Sequence, residues 1–91
     1  MPEVLISDHA RMEITRRDLS EDLVRRVAMD PAQVLSSSSG RQVRQSLIQE
    51  SPDSRPMLVR VVVIEEGDTL VVITAYRTSR IAKYWQAETN P

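Results

Sequence analysis

The chain reads as a single α+β domain over residues 1–91, with two N-terminal helices, a four-stranded antiparallel sheet and a C-terminal helix. Three observations predict this. Apolar residues recur at helical steps up to Met29. From Arg41 onward they alternate, or run together in short β-branched stretches, as strands do. At Thr78-Ser79 the strand pattern gives way to a last helical one.

Glu3 to Ile6 reads as an extended lead-in. Ser7 or Asp8 can cap a first helix reaching to about Arg17, with Ile6, Ala10 and Ile14 as its apolar stripe. Ser20 opens a second helix, SEDLVRRVAMD, whose leading acids suit the helix dipole and whose stripe is Leu23, Val24, Val27 and Ala28. Asp30-Pro31 ends it, because a proline pushes the preceding residue out of the helical region. Gln33 to Ser37 is a short strand, and the serine run with Gly40 is a turn. Arg41 to Gln49 is the next strand, with Val43 and Leu47 on one face. Glu50 to Pro56 holds two prolines and no apolar residue, and so belongs to a surface loop. Met57 to Ile64 and Thr69 to Tyr76 form a hairpin closed around Glu66-Gly67-Asp68. Val59, Val61 and Val63 line one of its faces; Leu58, Val62 and Ile64 line the other, with Arg60 as the lone charge. The run Leu70 to Ile73 suggests a strand covered on both sides. In the last helix a hydroxyl of Thr78 or Ser79 is the expected cap, Ile81 and Trp85 share a core-facing side, and Arg80, Lys83 and Tyr84 share another.

Charge is nearly balanced, twelve Lys and Arg against thirteen Asp and Glu, so no global field points to nucleic acid. The distribution is more informative: Thr69 to Ala87 contains Arg77, Arg80 and Lys83 and no acid. With no cysteine there is neither a disulfide framework nor a thiolate metal site. The start lacks a basic-then-apolar leader, and no apolar run is long enough to span a membrane, so a cytoplasmic protein without membrane contact is expected. Walker, dinucleotide-binding, nucleophile-elbow and paired metal-ligand patterns are missing, so no cofactor and no metal is expected.

Two groups of residues could carry chemistry. His9 is the only histidine, the side-chain type that ordinarily titrates near neutrality. Glu13 follows it by one helical turn and Arg17 by two, a ladder suited to general base work beside a cation. Alternatively, this is a solvated helix face with ordinary ion pairs. The second group is Tyr76, Arg77, Arg80, Lys83 and Tyr84. RNA cleaved by its own 2′-hydroxyl needs a proton acceptor, a proton donor and cations around phosphorus. Arginine clamps phosphate and a tyrosine ring stacks on a base. The competing reading has Tyr84 and Trp85 sealing the helix onto the sheet. Arg25 with Arg26, and Arg41 with Arg44, could extend a phosphate-binding surface, but read first as ordinary solvated charges.

The opening Ser7-Asp8-His9-Ala10, an S-x-H-A pattern, is followed by Arg17, Leu19-Ser20 and an acid-led helix ending in Asp30-Pro31. The ending V-x-T-A-Y-R-T-S-x-x-x-K-Y-W spans Val72 to Trp85. Together they resemble a small bacterial domain-of-unknown-function family grouped with the BrnT and RelE/ParE toxins. Where that family's pattern has an arginine four after the histidine and a glycine after the second arginine, this chain has Glu13 and Asp18. The resemblance implies a compact toxin-like fold, a toxin–antitoxin role, and metal-independent endoribonuclease activity. His9 or Tyr84 would then handle protons while Arg17, Arg77, Arg80 and Lys83 hold phosphate. The implied partners are a cognate antitoxin and RNA, free or on the ribosome; the aliphatic hairpin also permits a homodimer. The alternative is a non-catalytic module that docks a protein partner.

Overall fold

The computed structural model describes residues 3–86. The elements in order are β1 (Glu3–Ile6), α1 (Asp8–Arg16), α2 (Glu21–Met29), β2 (Gln33–Ser36), a 3-10 turn at Ser38–Gly40, β3 (Arg41–Ile48), β4 (Met57–Glu66), β5 (Thr69–Thr78) and the one-turn α3 (Ile81–Tyr84). The strands form one five-stranded sheet in the order β1-β5-β4-β3-β2. The expected four antiparallel strands are present, and the sheet is mixed, because the lead-in at Glu3–Ile6 pairs parallel to β5. A parallel partner so distant in sequence leaves no local turn signature, which is why the lead-in does not read as a strand.

The first two helices start as their capping residues dictate. The Ser7 hydroxyl accepts from the Ala10 amide at 3.1 Å, and Ser20 accepts from Leu23 at 3.3 Å. α1 ends in a reciprocal pair of backbone bonds: the Leu19 amide donates to the Ile14 carbonyl at 2.9 Å and the Asp18 amide to Thr15 at 3.1 Å. This closure requires a left-handed residue between them, and Asp18 supplies it with φ of 57°. That geometry gives a physical reason for glycine at this position in the resembling pattern. The β4–β5 turn makes a similar demand, met by Gly67 with φ of 60°.

α1 and α2 cover one face of the sheet. Ala10, Ile14, Val24, Val27 and Ala28 from the helices bury against Val4, Ile6, Val59, Val61, Val63, Leu70, Val72 and Ala75 from the strands. Arg25 and Arg44, expected to be solvated, are partly buried on backbone carbonyls, Arg25 on Val4 at 2.7 Å and Arg44 on Ala28 at 2.9 Å. Guanidinium groups so placed satisfy carbonyls that would otherwise lack partners.

On the opposite face the register lines up rows. Glu3, Thr69 and Glu66 form the outermost; Leu5, Val71, Ile64 and Arg41 the next; then Val62, Val43 and Leu35; then Tyr76, Arg60, Gln45 and Gln33. The run Leu70 to Ile73 is therefore covered on one side only: Leu70 and Val72 are buried, whereas Val71 and Ile73 are half-buried on the open face. α3 lies over the last of these rows.

A register shift between Val62 and Val63 decides which residues of β5 face which way. Val63 pairs with Val72 and Val62 with Thr74, so Ile73 is the extra residue of a bulge. Thr74 stays on the helix side, its hydroxyl bonded to Glu13 and Arg17, and from Ala75 onward the two faces are exchanged relative to an unbulged strand. Leu70 and Val72 face the helices before the bulge; Ala75 and Arg77 do so after it, and Tyr76 turns to the open face.

The end of the chain departs from expectation. β5 continues through Thr78, past the expected end at Tyr76, and α3 is a single turn. Its N-cap is Arg80, with no side-chain cap; the Thr78 hydroxyl instead accepts from the Arg80 amide at 3.1 Å. Arg80 thus precedes α3, and Trp85, half-buried just beyond it, is not part of the core cluster. Among the described residues no helix is long and apolar enough to cross a membrane.

Candidate functional site

The structure brings His9, Glu13 and Arg17 together along α1 and adds Thr74 from β5. His9 Nε2 lies 3.1 Å from Glu13 Oε1, and Arg17 Nη2 lies 3.0 Å from Glu13 Oε2. The Thr74 hydroxyl donates to Glu13 Oε1 at 2.7 Å and accepts from Arg17 Nη1 at 3.1 Å. Arg17 Nη1 also donates to the Ala75 carbonyl at 3.0 Å. Helical spacing stacks the three α1 residues on one face, and the bulge brings the Thr74 hydroxyl under them. Without the structure Thr74 is one strand threonine among several.

The Glu13 carboxyl is held below its usual range, chiefly by the Thr74 hydroxyl and then by the charges of Arg17, His9 and Arg16, against an opposing effect of burial. Its side chain is 15% exposed, whereas that of His9 is 74% exposed. Glu13 is thus a fixed, ionised post, and His9 an accessible imidazole with one nitrogen held and the other, Nδ1, directed elsewhere. An open trough of about 610 Å³ runs along this helix, lined by His9, Met12, Glu13 and Arg16. Every lining residue comes from α1, so it is a surface depression, not an enclosed cavity.

Arg77 sits close by on the same side. Its Nη2 lies 3.5 Å from the Arg17 carbonyl and its Nη1 3.4 Å from Glu50. It borders a cleft of about 310 Å³ floored by Leu23, Ile48, Met57 and Val59.

Lys83 and Tyr84 lie elsewhere. On the open face the Arg60 guanidinium carbon stands 4.1 Å from the centre of the Tyr84 ring, and Arg60 Nη1 donates to the Tyr76 hydroxyl at 2.7 Å. The Lys83 ammonium lies 5.2 Å from the Tyr84 ring centre. Gln45, fully buried, ties this cluster together: its Oε1 accepts from Arg60 Nε at 2.9 Å, and its Nε2 donates to Gln33 Oε1 at 2.7 Å and to the Tyr84 carbonyl at 3.1 Å. Arg80 is exposed at the bend between the two faces. The expected single basic surface at the β5–α3 corner is therefore divided: successive strand residues face opposite sides, and the bulge decides that Arg77 takes the α1 side and Tyr76 the open face.

The sequence pattern of a family described as Domain of unknown function (DUF4258) matches residues 6–77. The chain belongs to that family. The match includes His9, Glu13, Arg17, Thr74 and Arg77 of this DUF4258 protein and stops before Arg80, Lys83 and Tyr84. No curated protein and no solved structure matches the chain. Gln45, Gln33 and Thr74 are the site residues that sequence reasoning misses. Gln45 alone left a trace, as a polar residue on the Val43–Leu47 face of β3.

Proposed function

We propose that this DUF4258 protein is the toxin of a bacterial toxin–antitoxin pair and cleaves RNA without a metal, with His9 as its acid–base group. One observation carries the reading: the only imidazole in the chain is exposed, while its Nε2 is held by a carboxylate that is itself fixed by Arg17 and Thr74. This is the base-and-orienter arrangement used in nucleophilic and acid–base catalysis. The resemblance of the chain's two ends to a domain-of-unknown-function family grouped with the BrnT and RelE/ParE toxins also supports it.

In the reaction, His9 Nδ1 takes the proton of a 2′-hydroxyl, and O2′ attacks the adjacent phosphorus. The P–O5′ bond breaks, and water protonates the departing oxygen. The products are a 2′,3′-cyclic phosphate and a 5′-hydroxyl. Arg17 is committed to Glu13, Thr74 and Ala75, so it acts mainly by positioning. The exposed Arg16, 3.5 Å from Glu13, and Arg77 are the cations better placed to meet phosphate. Lys83, Tyr84 and Arg80 fall outside this centre. An acidic segment of an antitoxin would mask these arginines.

The test is incubation of the purified chain with RNA, with and without ribosomes, followed by end-group analysis. Cleavage leaving cyclic phosphate ends, reduced about 10²–10⁴-fold in folded His9→Ala, is the expected result. Intact RNA in every condition at micromolar protein overturns the proposal. A second reading, a non-catalytic protein-binding module, is favoured by the half-exposed aliphatic rows of the open face. Growth arrest that persists in His9→Ala would select it.

A further inference from the structure

The open face of the sheet has a pattern that the cleavage chemistry does not use. Its middle rows are aliphatic apart from the exposed Arg41 beside Ile64, with Leu35, Val43, Val62, Ile64 and Val71 half-buried and Leu5 51% exposed. From strand spacing and rise these rows and their borders cover roughly 20 by 20 Å. The aliphatic part of that area is of the order of the largest patch an ordinary monomer shows, and such patches are often functional. Its two ends differ in charge, the first mainly acidic with Arg41 one row inward on β3, the second basic. At one end stand the exposed carboxylates of Glu3 and Glu66, facing the same side as the aliphatic rows. At the other, α3 rises as a ledge over Gln33 and Gln45, bearing the exposed Lys83, with Arg80 just before it. Arg60 beneath the ledge is occupied by Gln45, Tyr76 and Tyr84.

From this polarity we infer that the open face is the interface of a homodimer, with a second copy of the chain as its occupant. A two-fold axis lying in the plane of the sheet and across its strands stacks the faces with strand directions reversed. The aliphatic rows then meet each other, and the acidic end of each copy lies against the Lys83 ledge of the other. The face is self-complementary in charge and, because a ledge at one end meets an open margin at the other, in outline. Stacked sheets sit about 10 Å apart with strands within about 30° of alignment, which suits this geometry. Two such faces with their ledges approach the ~1,000 Å² of total burial that specific interfaces require. Rotation about an axis along the strands would instead set Glu66 near Glu66 and Lys83 near Lys83, and like charges disfavour it.

Sedimentation velocity on the full chain between about 1 and 100 μM tests this. A species of twice the 10.4 kDa chain mass is expected, dissociating on dilution. Ile64→Asp should give a monomer. Glu66→Lys, an exposed change that leaves the fold intact, should weaken dimerisation about tenfold, because two symmetric contacts are lost. Adding Lys83→Glu to Glu66→Lys should restore it. If Ile64→Asp does not fold, the charge exchange decides alone. Wild-type protein at single-chain mass throughout overturns the inference and leaves the face to a different protein. So does a dimer that Glu66→Lys does not weaken.

Discussion

Replacing Gln45 with leucine tests how the end of the chain is held. α3 has no buried residue of its own, so hydrogen bonds and ring contacts anchor it. Gln45 makes three side-chain bonds from a fully buried position, one to the Tyr84 carbonyl of α3 and two to Gln33 and Arg60, which themselves touch the end of the chain. Leucine has nearly the same volume but leaves Arg60 Nε and the Tyr84 carbonyl without these partners. Gln33 Oε1 is less affected, since it also accepts from the Gln86 amide at 3.1 Å. Orphaning a buried polar group costs about 1–3 kcal/mol, and a bond to a charged donor is worth about 1.5–3 kcal/mol. The added apolar surface of leucine offsets about 1 kcal/mol. The expected net loss is about 2–4 kcal/mol, a large part of the roughly 5–14 kcal/mol typical of a domain of this length, and Tm should fall by roughly 10–25 °C. Trp85, the only tryptophan, follows α3 directly, and its amide donates to Ile81 at 2.8 Å. Its emission should therefore shift to the red under native conditions, while urea unfolding followed by far-UV circular dichroism gives the global loss. A Gln45→Leu protein within about 0.5 kcal/mol of wild type, with unshifted emission, would refute the claim that this polar row holds α3.

Two further substitutions check the α1 geometry. Asp18→Gly relieves a left-handed aspartate and should stabilise the fold by about 0.5–1 kcal/mol, read from urea midpoints. Glu13 titrates below its ordinary value of 4.5 in the folded chain, so the stability it contributes is fully present above that value. As pH falls through the lowered folded value, that contribution is lost. Urea midpoints measured from neutrality into acid should fall through that window, and Glu13→Gln should flatten the fall. Thr74→Val, which removes the largest cause of the lowering, should move the fall to higher pH.

The caps were legible in the sequence because they are local: Ser7 and Ser20 act on amides three residues on. The β4–β5 hairpin was legible for the same reason, its turn needing one glycine between two β-branched runs. The His9–Glu13–Arg17 ladder follows from helical spacing alone. Arg25 and Arg44 were misread because the carbonyls they serve belong to other elements.

The amino-acid sequence by itself thus determined the first two helices, the hairpin and the placement of an imidazole, a carboxylate and a guanidinium along one helix face. These depend on contacts within a turn or two of chain, where periodicity and capping chemistry suffice. The tertiary structure alone decided the fifth strand, the bond from Thr74 to Glu13, and which of Tyr76 and Arg77 faces α1 and which joins Tyr84 on the open face. Each of these depends on how separate elements are set against one another, and the one extra residue at Ile73 reverses which side of the sheet Ala75 and the residues after it face.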